Sequence, residues 1–550
     1  MWGGLHLAVM THEAVCQKLG EATRSLNAGQ LRVAEKLLAG ILGAYPNQAD
    51  ALHMLSHVSL QRGEVTQAVG VLERAVTARP ADPDIRTTLA NALGSLSRLQ
   101  DAISVCRVGL KHVPENLSLL VILGRALGVL GDDDAAIEAL EKARSLNGTD
   151  LAILSMLGAL YFRQGDLTRT AQIYETALEI APDDIETRFN LVSVHIRNFD
   201  YDAAIIDLQR IVKIDGDHLP SLRTLGNILG RTDRYGEAIQ PLKRAMSLDP
   251  KDNLSANELI YALAIAGDPR EAVHLGETYL RDNPRATFMH RQLAFAHLRA
   301  AQPKFAITCC DHALQTDHPP TTALSLKAAA LNELDDRAAA AEILGLANFV
   351  QTTTPPAPDG YETLRHFNED LQAQILNHPS LDYMPSNRSM KKGRGTIELF
   401  DGAEKGTLAV FKQVILDTVD AYIRALPNDS AHPFLRHRPP HLDVNGWGNV
   451  YDDDGKQTVH FHPPAWLSGV YYPIVPERIK MSAPDDFAGA LELGRAYFRL
   501  ESKDNPPVRV IKPEDGLMVL FPSYVGHQTI PLGKSSTPRV SIAFDLVPAA

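Results

Sequence analysis

The chain has 550 residues, 45% of them apolar and 22% charged, with a formal net charge of −12, so it is expected to divide into several ordinarily globular domains. The acidic balance speaks against nonspecific nucleic-acid binding, which needs a basic surface, and the lack of any run of about 18 apolar residues speaks against a membrane-spanning helix. The four cysteines, Cys16, Cys106, Cys309 and Cys310, have neither zinc-ligand nor disulfide spacing, and a reducing cytoplasm is the expected compartment.

The opening MWGGLHLAVM lacks a basic start and a long apolar stretch, so no signal peptide is expected. A regular mark then runs down the chain. Turn residues recur at Pro46, Pro80, Pro114, Gly148, Pro182, Gly216, Pro250 and Pro284, each 34 positions after the last. Small residues keep the same period at Ala34, Ala68, Ala102, Ala136, Thr170, Ala204, Ala238 and Ala272, continuing at Ala306 and Ala340. The pattern resembles the tetratricopeptide (TPR) repeat: helix, turn, helix, with a small residue where the helices cross and a breaker before the next unit. One unit cannot bury its apolar face alone, so nine to ten units are expected to stack into a superhelix over residues 12–348. The resemblance implies a protein or peptide partner along the concave face. Candidate contacts on the first helices are Asn91, Arg125, Asn190 and Asn227. The asparagine ladder of TPR-bearing glycosyltransferases is absent, because the register of Asn190 reads Met156, Asn190, Thr224, Glu258.

Residues 349–360 contain TTTPPAPDG, which predicts a linker. Beyond it, apolar residues at 3–4 spacing predict helices over 361–377 and 403–425. From Leu442 the segments WGNVYD, TVHFH, LSGVYYPIV, AYFRLE, VRVIK, GLMVLFP and RVSIAFDLV read as short strands separated by Gly, Pro and Asp. The expected architecture is therefore multidomain: an all-α TPR superhelix, then an α+β domain over 361–550 with a double-stranded β-helix of the jelly-roll or cupin type.

Three features in this strand region carry chemistry. In His460-Phe461-His462, strand alternation puts both imidazoles on one face. His527 follows GLMVLFPSYVG at the end of a strand, and Arg539-Val540-Ser541 falls inside the last one. Open-sided iron sites use two histidines and one further ligand. A buried carboxylate of a chelating co-substrate needs a partner such as a bidentate Arg. The stretches QTVHFHPPAWLSGVYY, GLMVLFPSYVGHQTIP and PRVSIAFDL resemble the 2-oxoglutarate/Fe(II) oxygenase family often fused to TPR arrays, related in fold to the prolyl hydroxylases. The resemblance covers residues 355–548 and implies Fe(II) as cofactor and 2-oxoglutarate and O2 as co-substrates. It further implies His460 and His527 as iron ligands, Arg539 as the 2-oxoglutarate anchor, and Ser541 and Tyr472 as supporting donors. No catalytic group beyond the metal site is expected.

The superfamily motif is His-x-Asp, and here His462 stands at the Asp position. Either His462 completes a three-histidine site, or a water takes that place, or His462 binds the metal with His460 behind it. A literal His-x-Asp occurs at His441-Leu442-Asp443, one strand too early for the motif. Asp452, Asp453 and Asp454 before Gly455 predict a hairpin turn. Trp466 reads as pocket wall or core, and Lys391, Lys392 and Arg394 as a solvated face. The function expected is hydroxylation of a protein or peptide substrate recruited by the repeats. The alternatives are a TPR scaffold with an inactive or sensory cupin domain, and a histidine-only dioxygenase that does not use 2-oxoglutarate. The sequence carries no signal for oligomeric state.

Overall fold

In a computed structural model, the structure describes residues 10–315, 320–383, 389–400, 406–427, 431–496, 500 and 506–549. Helices pair in succession from His12–Asn27 with Leu31–Ala44 to Thr321–Glu333 with Arg337–Leu344, ten pairs among the described residues. Each start is specified locally. Two residues past five of the eight Pro or Gly marks sits Asp82, Asn116, Asp150, Asp184 or Asp252, whose side chain accepts backbone N–H groups of the first helical turn. His218 holds the equivalent place without a side-chain cap. The small residues do what their period implies: Ala34, Ala68, Ala102, Ala136, Thr170, Ala204, Ala238, Ala272, Ala306 and Ala340 are all buried.

The chain divides into two compact units, residues 1–216 and 217–550. The first holds helix pairs alone. Its main core runs from Ala49 to Ala177 and is built from Leu, Ile and Ala on the facing sides of successive helices. The second holds the last four helix pairs and the β-rich region. Here the repeats and the sheet share one core, because Ala313, Leu314, Ala323 and Leu324 pack in the same cluster as Phe434, Trp466 and Tyr524. Buried hydrogen bonds cross this seam. Thr321 Oγ1 donates to the carbonyl of Ala465 (2.9 Å) and Tyr524 Oη to that of Ile343 (2.8 Å).

Among the described residues ten strands follow: β1 (Gln351–Thr353), β2 (Asp382–Tyr383), β3 (Met390–Gly395), β4 (Leu442–Gln457), β5 (Leu467–Tyr472), β6 (Leu491–Leu493), β7 (Arg509–Ile511), β8 (Leu517–Pro522), β9 (His527–Thr529) and β10 (Arg539–Pro548). They form two antiparallel sheets, β1-β8-β5-β10-β4-β3-β2 and β7-β6-β9, a cupin-like sandwich. On the outer face of β10, Val540, Ile542, Phe544 and Leu546 are buried with the helices Leu364–Leu376 and Thr407–Ala425, through Phe367, Ile375 and Phe411. Gly448 permits this approach, since a Cβ there would meet Ile375 at 2.6 Å.

Several expectations are corrected. Gln351–Thr353, inside the Pro-rich stretch, is edge strand β1, paired with β8. TVHFH is not a strand: after Gln457 only His460 pairs, through an isolated bridge to His527, and Pro463 and Pro464 have no N–H to continue a ladder. Asp452–Gly455 is not a hairpin turn. β4 continues past it, and the register shift against β3 between Lys391 and Gly393 makes it a bulge. β6 has no counterpart among the expected strands, and most of AYFRLE lies outside the described residues. Trp466 is core, stacked on Phe434 at 4.6 Å and donating Nε1–H to its carbonyl (2.9 Å).

Helix crossings in the repeats leave no room for growth. A Cβ on Gly226 would overlap the side chain of Leu242. Gly226→Val is therefore expected to lower stability by about 1–3 kcal/mol through overpacking, read as a lower urea midpoint. An unchanged midpoint would contradict the close crossing.

Candidate metal centre and co-substrate pocket

Strand alternation assembles one polar wall. Opposite residues on β10 and β4 pair Arg539 with Tyr451, Ser541 with Asn449 and Ala543 with Trp447. On the other side of β10, Asp545 pairs with Ser468 and Ala543 with Val470 of β5. Period 2 therefore sets Arg539, Ser541, Ala543 and Asp545 in a row, flanked by Trp447, Asn449 and Tyr451 and by Ser468, Val470 and Tyr472. Apart from Tyr451, all of these line a single pocket, together with His460, His462 and His527.

The three histidines converge. One ligating nitrogen of each can be chosen so that all three lie within 4.8 Å of one another. Ring centroids are 4.3 Å apart for His460–His527, 5.1 Å for His460–His462 and 5.2 Å for His462–His527. The backbone fixes them. His460 and His527 exchange both N–H···O bonds (3.1 and 2.9 Å), and the N–H of His462 donates to Ser523 (3.1 Å). Trp447 stacks on His462 and Phe521 meets His527 edge-on.

Each Nδ1 faces an oxygen: the Thr458 carbonyl for His460 (2.8 Å), the Val525 carbonyl for His527 (3.0 Å) and the Asp545 carboxylate for His462 (2.7 Å). A carbonyl only accepts, so Nδ1 of His460 and His527 carries the hydrogen, and an ionised Asp545 imposes the same tautomer on His462. All three Nε2 lone pairs are then left for a cation. Burial and the neighbouring imidazoles push His460 down to about 4 and His527 well below its ordinary value. Both stay neutral near pH 7, as ligation requires. Asp545 was not legible as a site residue by motif. It accepts from Ser468 Oγ (2.6 Å) as well as from His462 and is the carboxylate behind the ring.

Arg539 is 2% exposed. Nη1 donates to the Gly489 carbonyl (2.8 Å) and Nη2 to Thr529 Oγ1 (3.2 Å), while Nε has no partner. Among the described residues no carboxylate pairs with this guanidinium. The Tyr451 hydroxyl and Asn449 Oδ1 are also buried without partners. Tyr451 lies under the guanidinium at 4.9 Å and Tyr472 at 5.9 Å. A buried cation without its anion is costly, and a carboxylate entering from the pocket would supply one to Arg539, which lines it. The donor sets thus fit both a divalent metal and a dicarboxylate chelator. Ser541 and Tyr472 line this pocket. His441 and Asp443 are exposed at the start of β4 and do not line it.

Among the TPR candidates, Arg125 Nη2 donates to Asn91 Oδ1 (3.1 Å), so two successive repeat positions touch. Asn227 is exposed and Asn190 half-buried.

Helix pairs of 34-residue period are thus followed by an antiparallel sandwich with a three-histidine face and a buried arginine. Family comparison bears on both parts. The model described as "Putative 2OG-Fe(II) oxygenase" matches residues 445–545, and tetratricopeptide-repeat models match 25–92, 123–185 and 161–228. Similar solved structures include YrrB, described as a TPR protein with an unusual peptide-binding site (18% identity, 34% of this chain and 95% of that one, TM-score 0.31). Others are a thermophilic TPR protein of Thermus thermophilus (26%, 33% and 100%, 0.27) and a TPR protein from Parabacteroides merdae (15%, 46% and 99%, 0.33). No curated protein matches the chain. No helix among the described residues is long and apolar enough to cross a membrane.

Asp545→Asn is expected to weaken Fe(II) or Mn(II) affinity by about 10- to 100-fold, read by metal titration, with the fold retained. Unchanged affinity would mean that Asp545 does not orient a ligand.

Proposed function

We propose that the protein is an Fe(II)- and 2-oxoglutarate-dependent oxygenase that hydroxylates a protein or peptide substrate recruited by its repeats. In this reading residues 12–348 are the recruiting module, with Asn91, Arg125, Asn190 and Asn227 as partner contacts, and residues 361–550 are the oxygenase domain. When bound, Fe(II) with O2 and 2-oxoglutarate supplies oxidative decarboxylation to succinate and CO2 coupled to oxygen insertion into a C–H bond. His460, His462 and His527 hold the metal through Nε2, and their Nδ1 anchors keep the rings from turning away. Arg539 takes the distal carboxylate of 2-oxoglutarate, assisted by Ser541 and Tyr472. Trp447 and Phe521 brace the ligand rings and narrow the access of water.

The observation that carries the reading is the Arg539 guanidinium, buried without a carboxylate in the pocket that the three histidines also line. An inert scaffold has no physical use for such a group. A histidine-only dioxygenase would have no carboxylate to offer it.

Arg539→Ala is expected to weaken 2-oxoglutarate binding to the Mn(II)-loaded protein at least about 30-fold while leaving Mn(II) affinity within a few-fold. Calorimetric titration of each ligand reads both. Equal 2-oxoglutarate affinity in the variant would remove the cofactor assignment.

A further inference from the structure

The first helices of the last three repeats are Asn253–Ala266, Met289–Arg299 and Thr321–Glu333. Residues one repeat apart fall at the same place on successive helices, so Glu258 and Gln292 line up, as do Tyr261 and Phe295. The second pair continues the register of Asn227. These four residues line a cavity of about 370 Å³ whose far wall is Phe461 and Pro463 of the β-rich region. Phe461 lies between His460 and His462 in the chain and also lines the open pocket that contains both histidines and Trp447. The repeat surface and the metal centre therefore share a wall.

The cavity has a definite chemistry. Tyr261 stacks on Phe295 at 4.9 Å and 23°, and both line the cavity; Phe295 is buried and Tyr261 half-buried, so the aromatic shelf is mainly the Tyr261 ring. Glu258 lies one helical turn before Tyr261 on the same face. It is half-buried, and burial pushes its carboxyl above the ordinary value despite a hydrogen bond with the Asn257 side chain. No Lys or Arg among the described residues pairs with it. Arg291, on the same strip, makes its own contacts within the protein. A cation entering the cavity gains a carboxylate and an aromatic face together. The amides of Asn257 and Gln292 offer both donors and acceptors, which suits an extended backbone. The net charge of −12 favours the approach of basic segments.

We propose that this cavity docks an extended peptide segment and that Glu258, with the Tyr261–Phe295 shelf, selects a lysine or arginine side chain in it. Calling that segment the substrate rests on the oxygenase reading; the docking itself does not. Phe461 is then the threshold over which the segment passes from the repeats to the metal centre.

The test uses the full chain and four fluorescein-labelled nonapeptide pools with degenerate flanks and a fixed central Lys, Arg, Glu or Leu, read by fluorescence anisotropy. The Lys and Arg pools are expected to bind about tenfold tighter than the Glu and Leu pools. Glu258→Gln, nearly isosteric, should erase that preference, and Tyr261→Ala should weaken the basic pools while the circular dichroism spectrum is unchanged. Equal binding of all four pools, preference for the Glu pool, or a preference that survives Glu258→Gln would overturn the proposal. Succinate formation with the same pools separates the two readings. Basic-selective binding without 2-oxoglutarate turnover leaves the docking site standing and counts against the oxygenase. Turnover without basic selectivity does the reverse.

Discussion

Three imidazoles can share one cation only if none presents a hydrogen to it, and in this protein that condition is met by what lies behind each ring. Two backbone carbonyls and one carboxylate take the Nδ1 hydrogens of His460, His527 and His462. Local structure holds those acceptors. The Thr458 and Val525 carbonyls are each two residues from the histidine they serve, and the bridge between His460 and His527 keeps both loops in register. Asp545 comes from the longest continuous pairing in the sheet, between β10 and β4. Asp545 stands behind this cluster and touches it through His462, the place of a carboxylate that orients a histidine rather than that of a direct ligand.

Strand β10 is the element on which the arrangement of the pocket depends. Its outer face, from Val540 to Leu546, is buried against helices, and its inner face carries Arg539, Ser541 and Asp545. A one-residue slip would exchange the two faces. The buried apolar side therefore fixes the register that places the guanidinium and the carboxylate. Arg539 at one end and Asp545 at the other are opposite charges kept apart along one strand, so neither neutralises the other. The guanidinium is left without a carboxylate among the described residues.

Much of this was legible in the sequence, for physical reasons that differ by region. The 34-residue period exposes the repeats because every unit solves the same packing problem with the same small residue. His460, His462, His527 and Arg539 were legible because short motifs placed them on or beside strands. Asp545 was not, since a single Asp near the end of an apolar strand has no local signature. Counting by twos from Arg539 would have found it, through Ser541 and Ala543. Asn449 and Tyr451 were hidden for a related reason: they matter only through their pairing with β10. The bulge at Asp452–Gly455 reads locally as a turn because Asp and Gly serve both. The seam between the last repeats and the sheet, with Thr321 bonded to Ala465, is a long-range contact that no local pattern announces.

That seam links architecture to chemistry. The last helix pairs share a core with the β-rich region, so the repeat surface near Phe461 is held in place beside the histidine cluster. The central claim remains the pairing of a three-histidine centre with a buried arginine in one pocket. Anaerobic titration of 2-oxoglutarate into the Fe(II)-loaded protein tests it most directly. The account predicts a saturable metal-to-ligand charge-transfer band that is lost in His527→Ala. Absence of the band, with Fe(II) shown to be bound, would contradict it.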